Sequence, residues 1–111
     1  MDLSSLLRRL QEEDAVVQPR RLSILILLAL EGRRSFKELR DTLGLSPGNL
    51  GSHMKVLEEK ELVRKTRCLR GLRYVTCYEM TETGVEKLGK VLDLAGRISE
   101  LIKEGEGRSQ D

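Results

Sequence analysis

The spacing of hydrophobic residues predicts three longer helices. Leucines recur at helical intervals over residues 2–12, and residues 19–30 are apolar on nearly every side of a helix. A third apolar stripe runs over residues 82–104, and the glycine-containing polar segment 105–111 after it is predicted to be a disordered tail. Residues 14–18 are predicted to be a simple connection. The pattern therefore places one buried helix between two amphipathic ones.

Two short capped helices are predicted between the buried helix and the last one. Ser35 and Glu38 have the spacing of a capping box, in which the hydroxyl and the carboxylate satisfy free N–H groups. The helix that they open ends at Gly44, and Ser46 caps the next helix after a turn of about three residues. Helices joined by so short a glycine-containing turn cross steeply, which predicts a helix-turn-helix.

A basic hairpin is predicted directly after the second short helix. Residues 62–66 and 73–80 are β-branched or alternate in polarity on either side of Gly71. Within residues 62–79, five cations stand against one acid, a local charge of +4 in a chain whose net charge is +2. The positive charge is thus concentrated, as nucleic-acid binding requires. The predicted fold is mainly α with a small antiparallel β-wing, in a single domain over 1–104 with the helix-turn-helix at 35–60, the wing at 62–80 and the C-terminal helix at 82–104.

Composition narrows the class of protein. Aromatic residues make up only 3% of the chain, so the core must be aliphatic. No apolar run approaches the ~20 residues that cross a bilayer, and the N-terminus lacks a signal-peptide pattern. Two cysteines without a secretion signal predict reduced thiols and a cytoplasmic location. One histidine and no catalytic motif predict that the protein is not an enzyme and uses no metal or cofactor.

Residues 48–63 (GNLGSHMKVLEEKELV) resemble the recognition helix and first wing strand of winged-helix transcriptional regulators, and the resemblance is closest to the small MarR- and ArsR-like regulators of archaea and bacteria. It continues through Arg70-Gly71 and residues 78–84 (YEMTETG) and covers roughly residues 20–90. One departure is Glu61, where the family usually turns on a glycine, so a less sharply kinked helix end is expected. The resemblance implies a DNA-binding homodimer.

The candidate DNA contacts are polar or cationic side chains of the two short helices and the wing. Short polar side chains near a helix N-terminus read bases in the major groove, and Asn49 is suited to bidentate pairing with adenine. Wing arginines can hold phosphates or enter the minor groove. For His53 a partly packed role stays equally open. The predicted DNA-binding residues are Ser35, Lys37, Ser46, Gly48, Asn49, Ser52, His53, Lys55, Lys65, Arg67, Arg70 and Arg73.

The leucine stripes of the two terminal helices can cover the domain's own core or a second copy of the chain. A winged core needs few further helices, and Gly89 and Gly96 would let a partner helix approach closely. We therefore predict a two-fold dimer. Its predicted interface consists of Leu3, Leu6, Leu7, Leu10, Leu88, Val91, Leu92, Ala95, Ile98 and Ile102.

Together these features predict a homodimeric, sequence-specific regulator of transcription that binds double-stranded DNA, by default a repressor, with no membrane partner. Two alternatives stay open. One is a winged-helix module that binds proteins of the transcription machinery. The other is a sensor-repressor that responds to a metal, a redox change or a small molecule, in which Cys68 and Cys77 could take part.

Overall fold

The computed structural model describes residues 2–109, with their side chains through Glu106. In chain order, its elements are α1 (Leu3–Glu12), α2 (Asp14–Val17), α3 (Pro19–Glu31), β1 (Arg34–Ser35), α4 (Phe36–Leu43), α5 (Pro47–Glu59), β2 (Val63–Arg70), β3 (Arg73–Met80) and α6 (Glu82–Ser109). The mainly helical fold with a small antiparallel sheet is as predicted.

Local hydrogen bonds define the helix-turn-helix formed by α4 and α5. At the start of α4 the Glu38 N–H donates to Ser35 Oγ at 3.1 Å, and the Ser35 N–H donates to Glu38 Oε1 at 2.8 Å, which completes the capping box. Gly44 ends α4 at φ +66°, and the Ser46 hydroxyl then caps α5 by accepting from the Asn49 N–H at 3.2 Å. The predicted caps are confirmed.

The wing is the antiparallel hairpin of β2 and β3. Its register runs from the pair Val63 and Met80 at the base to the pair Arg70 and Arg73 at the tip, where Gly71 turns the chain at φ +64°. The two residues of β1 pair with the other edge of β3, so the strand order is β1-β3-β2. Two residues are too few to show a period-2 pattern, and β1 was absent from the sequence prediction for that reason.

Two segments differ from their predicted structure. The predicted connection after α1 contains a short helix, α2. Helix α6 continues to Ser109, so the part of the predicted disordered tail up to residue 109 is helical, while residues 110 and 111 lie outside the described residues. Extending a long helix requires no new nucleus, which lets α6 include glycines that cost about 1 kcal/mol each relative to alanine.

Glu61 makes the same turn as a glycine would. Its φ is +59°, and it closes a Schellman motif in which the Leu62 N–H donates to the Leu57 carbonyl at 2.9 Å and the Glu61 N–H donates to the Glu58 carbonyl at 2.9 Å. Burial of Leu57 and Leu62 accompanies these bonds. The expectation of a less sharply kinked end of α5 is therefore wrong.

The core surrounds α3, which is the central helix as predicted. Its buried members are almost all aliphatic, and one tyrosine joins them from β3. They are Val16, Ile24, Leu25, Leu28, Leu39, Leu50, Met54, Leu57, Leu62, Val63, Tyr78, Leu88 and Val91.

Candidate nucleic-acid interface

The outer face of α5 consists of short polar side chains. Leu50, Met54 and Leu57 anchor the opposite face in the core. Five of the predicted DNA contacts are exposed on or beside the outer face, namely Ser46, Gly48, Asn49, Ser52 and Lys55. A Cβ atom built at Gly48 or Gly51 would meet nothing within 4 Å, so the helix surface there is open. This face offers hydrogen-bonding groups with a single cation.

His53 is half-buried and is held by a hydrogen bond from α3. The Arg21 guanidinium donates from Nη1 to His53 Nδ1 at 3.2 Å, and its Nε donates to the Ala15 carbonyl at 2.6 Å. Burial lowers the pKa of His53, and the charges of Arg21 and Arg20 lower it further. The imidazole is half-buried and accepts this hydrogen bond at Nδ1, so its Nε2 is the nitrogen left to donate. Arg21 thus ties α5 to the segment before α3.

Sequence reasoning did not find the role of Arg21. Its partner His53 is 32 residues away, and no local spacing connects the two. Ser35 is likewise not available to DNA, because its side chain is buried and its hydroxyl caps α4. The prediction of a DNA contact at Ser35 is therefore wrong for its side chain, whereas Lys37, two residues on, is exposed.

Glutamates pair with three of the five wing cations, and two of these glutamates come from helices outside the wing. Arg64 pairs with Glu79 at 3.2 Å, Lys65 approaches Glu58 of α5 at 4.0 Å, and Arg70 pairs with Glu38 of α4 at 2.9 Å. The other two, Arg67 and Arg73, pair with no carboxylate among the side chains that the structure describes. The charge available to a ligand is therefore smaller than a count over residues 62–79 suggests.

Arg67 is held by an aromatic ring. Its guanidinium carbon lies 5.6 Å from the centre of the Tyr74 ring, within cation–π range. Both side chains are exposed near the outer end of the wing. The contact orders Arg67 without neutralising it.

A hollow of about 750 Å³ separates α4 from the wing. Three of the predicted cationic contacts, Lys37, Lys65 and Arg70, line it together. All three aromatic residues of the chain line it as well, namely Phe36, Tyr74 and Tyr78. The hollow brings Lys37, Glu38 and Asp41 of α4 face to face with the wing, which no spacing in the sequence indicates.

Glu38 links α4 to the tip of the wing. The Ser35 backbone N–H, followed by the Ser35 side chain and the Arg70 guanidinium, lowers the pKa of Glu38 to about 2. The carboxylate stays ionised through the neutral range, and its side chain is about two-fifths exposed. It holds the helix cap and the predicted DNA contact Arg70 at once.

The lowered pKa of Glu38 predicts an acid-sensitive contribution to stability. A depressed carboxyl pKa stabilises the fold fully above its ordinary value of 4.5, and this contribution is lost as the pH falls toward 2. Glu38→Gln keeps an oxygen for the cap but no charge. We expect its unfolding midpoint in urea to fall less than that of the wild type between pH 5 and pH 2.5.

The matched control for that titration is Glu86→Gln, which removes a carboxylate from an exposed i,i+4 pair with Lys90. It should follow the wild-type midpoint across the same pH range. Parallel curves for the wild type and Glu38→Gln would show that the carboxylate contributes nothing to the pH dependence.

A disulfide joins Cys68 of β2 to Cys77 of β3. The two residues lie diagonally across the hairpin, since Cys68 is opposite Val75 and Cys77 is opposite Thr66, and their Cα atoms are 5.9 Å apart. Both are buried. The prediction of reduced thiols is wrong for this structure, because strand pairing brings together two cysteines whose separation along the chain carries no pairing signal.

The described residues offer neither a metal site nor a membrane-spanning helix. No group of three or more histidine, cysteine or acidic side chains among them is placed to hold a metal ion. None of the helices in residues 2–109 combines the length and the apolar character needed to cross a membrane.

The predicted dimer residues divide into two groups. Leu6, Leu88 and Val91 are buried within the chain's own core, so as the surface of a dimer they are wrong. Leu94, which the prediction omitted, is buried beside them. The rest are exposed or half-buried, namely Leu3, Leu7, Leu10, Leu92, Ala95, Ile98 and Ile102. The face that α6 buries at Leu88 and Val91 continues toward its C-terminus as an apolar surface.

These features define a protein that binds duplex DNA. They are a helix with a polar outer face, the short turn and cap before it, and the charged hairpin after it. The model of the family described as the winged helix DNA-binding domain matches residues 20–98. The chain belongs to this family.

Solved structures show the same fold. A transcriptional regulator homologue from Pyrococcus horikoshii OT3 is 28% identical, with a TM-score of 0.82 over 88% of this chain and 97% of that one. Diamide-treated YodB from Bacillus subtilis is 20% identical, with a TM-score of 0.71 over 81% of this chain and 88% of its own. A transcriptional regulator of the MarR family from Enterococcus faecalis V583 is 21% identical, with a TM-score of 0.59 over 99% of this chain and 91% of that one. No curated protein matches the chain by sequence.

Proposed function

We propose that the protein is a homodimeric regulator that recognises a specific DNA sequence and represses transcription by occupying it. The proposal rests on one observation: most of the hydrogen-bonding groups and most of the cations lie on two different elements, α5 and the wing. The outer face of α5 bears uncharged hydrogen-bonding groups with Lys55 as its single cation, whereas five cations lie on the hairpin next to it. Lys65 of β2 approaches Glu58 of α5, so the two parts are neighbours and can engage adjacent stretches of one duplex.

In this proposal α5 lies in the major groove and reads bases. Asn49 is near its N-terminus, is exposed, and keeps its side-chain amide free of the cap, since only its backbone N–H bonds to Ser46. Ser52 donates its hydroxyl to the Gly48 carbonyl at 3.0 Å, which leaves its oxygen as an acceptor. Gly48 and Gly51 permit close approach of the backbone.

The hollow between α4 and the wing is the proposed position of the DNA backbone. Lys37 borders it from α4, and Lys65 and Arg70 border it from the wing. Phosphate oxygens would replace the carboxylates of Glu58 and Glu38 as their partners. Arg67 and Arg73 are already free of carboxylates among the described side chains and supply further contacts.

The C-terminal half of α6 supports a dimer. At 28 residues the helix is about 42 Å long. Its N-terminal half covers the core, while Ala95, Ile98 and Ile102 continue the apolar face where the chain's own core does not bury it. A second copy related by a two-fold axis would cover this face and place two α5 helices about one helical turn of DNA, ~34 Å, apart. The proposed place of action is the cytoplasm of a cell without a nucleus, where the genome lies.

A salt titration tests the proposal against the alternative of a protein-interaction module. The fluorescence anisotropy of a labelled random duplex should show binding that weakens steeply with salt, with log K falling by about 0.9 per phosphate contact for each unit of log salt. An affinity that did not change with salt concentration, or no binding at all, would contradict the proposal. Selection from a random pool should then enrich a two-fold symmetric site.

Mutations should distinguish residues that read bases from residues that contact the DNA backbone. Asn49→Ala should lose discrimination at one position in each half-site by about 1–3 kcal/mol, because a bidentate contact to adenine disappears. Arg73→Ala, the matched control, should weaken binding to all sequences alike. A selected consensus that Asn49→Ala left unchanged would refute the assigned role of Asn49.

A further inference from the structure

The outer end of the wing exposes apolar side chains. Leu69 and Tyr74 face each other across β2 and β3, and both are exposed. Leu72, at the turn itself, is 100% exposed and is the most exposed of the large hydrophobic side chains in the described residues. The same hairpin buries Val63 and Tyr78 at its base. The apolar tip, defined here as Leu69, Leu72 and Tyr74, is therefore separate from the core.

The geometry of the turn does not require an apolar residue at position 72. Gly71 supplies the positive φ at the first central position, as a type II′ hairpin turn requires. The second position then accepts many residues, and a polar one would be solvated at no cost. Leu72 gains no burial from its own chain, so its whole side chain is available for contact with another molecule.

Arginines surround the apolar tip. Arg70 and Arg73 flank the turn on either side, and Arg67 stacks on the Tyr74 ring. This arrangement, an apolar centre within a cationic rim, complements the minor groove of DNA. The walls of that groove are sugars, its rims are phosphates, and it is only ~6 Å wide, so it admits a narrow hairpin end rather than a helix.

We propose that Leu72 is a minor-groove wedge that enters a base step and bends the bound DNA toward the major groove. Leu69 and Tyr74 contact the sugars, and Arg67 and Arg73 bind the phosphates on the two rims. Proteins that insert an apolar side chain in this way bend DNA by roughly 20–90°. The wedge rests on the proposed function, and it adds indirect readout, because pyrimidine–purine steps unstack most readily.

The test measures bending of the duplex that the wild-type protein selects. Fluorescence energy transfer between labelled ends reports the end-to-end distance with saturating wild type, Leu72→Ser and Leu30→Ser. Leu30 is 80% exposed near the end of α3 and undergoes the same chemical change away from the wing. We expect the wild type and Leu30→Ser to bend the DNA equally, and Leu72→Ser to reduce the bend by at least half. All three should melt at the same temperature.

The outcomes distinguish failure of the wedge from failure of the proposed function. Equal bending by Leu72→Ser and the wild type, or straight DNA under the wild type, would overturn the wedge while leaving DNA binding intact. A change in the sedimentation of free Leu72→Ser would show that the tip contacts a second copy and would also overturn it. Failure of the wild type to bind any duplex would instead overturn the proposed function.

Discussion

Gly84→Ala is expected to lower the free energy of unfolding by about 3 kcal/mol or more, at the upper end of the cost of overpacking. A Cβ atom at Gly84 would overlap the backbone carbonyl oxygen of Leu62. That oxygen cannot rotate away as a side-chain atom could, because it accepts the Thr81 N–H at 3.2 Å. The first turn of α6 would have to move off the start of the wing.

The neighbouring bonds make such a movement costly. The Thr81 hydroxyl donates to the Glu61 carbonyl at 2.6 Å and accepts from the Gly84 N–H at 2.9 Å. Thr81 therefore fastens the end of α5 to the start of α6, and at Gly84 the two backbones lie too close for a Cβ atom between them.

Gly105→Ala provides the matched control in the same helix. A Cβ atom at Gly105 meets nothing within 4 Å, and alanine is the better helix former by up to about 1 kcal/mol. Urea unfolding followed by circular dichroism at one fixed protein concentration should show Gly84→Ala destabilised and Gly105→Ala unchanged or stabilised. Equal effects of the two substitutions would mean that the close approach at Gly84 is unimportant.

Leu92→Glu is expected to yield a monomer and to weaken binding to a two-fold symmetric site by about 100-fold or more, because the two half-sites would no longer be bound together. Leu92 is 47% exposed in the isolated chain, so a glutamate there leaves the fold of one copy nearly unperturbed. Within a dimer interface, the same charge would be buried without a partner. Sedimentation velocity and anisotropy on the selected duplex measure the two effects.

Leu30→Glu is the control for this substitution, since Leu30 is the more exposed leucine and lies outside both terminal helices. It should leave both the sedimentation coefficient and the affinity unchanged. A Leu92→Glu protein that sedimented as the wild type does would refute an interface on this face of α6, whatever its affinity for DNA.

The parts of the fold that sequence reasoning predicted correctly depend on near neighbours. The capping box of Ser35 and Glu38, the cap at Ser46 and the glycine at the hairpin turn are each completed within four residues. Each selects one local backbone conformation over the alternatives. Periodicity then indicates the buried side of α5, because burial of Leu50, Met54 and Leu57 leaves Asn49 and Ser52 on the surface.

The errors at the candidate interface and at the dimer face concern contacts between distant residues. Leu88 and Val91 look the same in sequence as Leu92, and only the packing of α6 on the core separates buried leucines from exposed ones. In the sequence, Arg70 and Arg73 both look like unpaired cations. In the structure, Arg70 pairs with Glu38, which lies 32 residues earlier in the chain. The charge of the wing could be counted from the sequence, but the share of it left unpaired could not.

The sequence by itself determined the order of the longer elements, the caps of α4 and α5 and the polar face of α5, because these follow from hydrogen bonds and side-chain periods within a few residues. Tertiary structure alone decided which cations are paired, which leucines are covered, that Cys68 meets Cys77, and that Lys37, Lys65 and Arg70 border one hollow. These outcomes depend on how the elements cross, and crossing is set by the packing of the whole core.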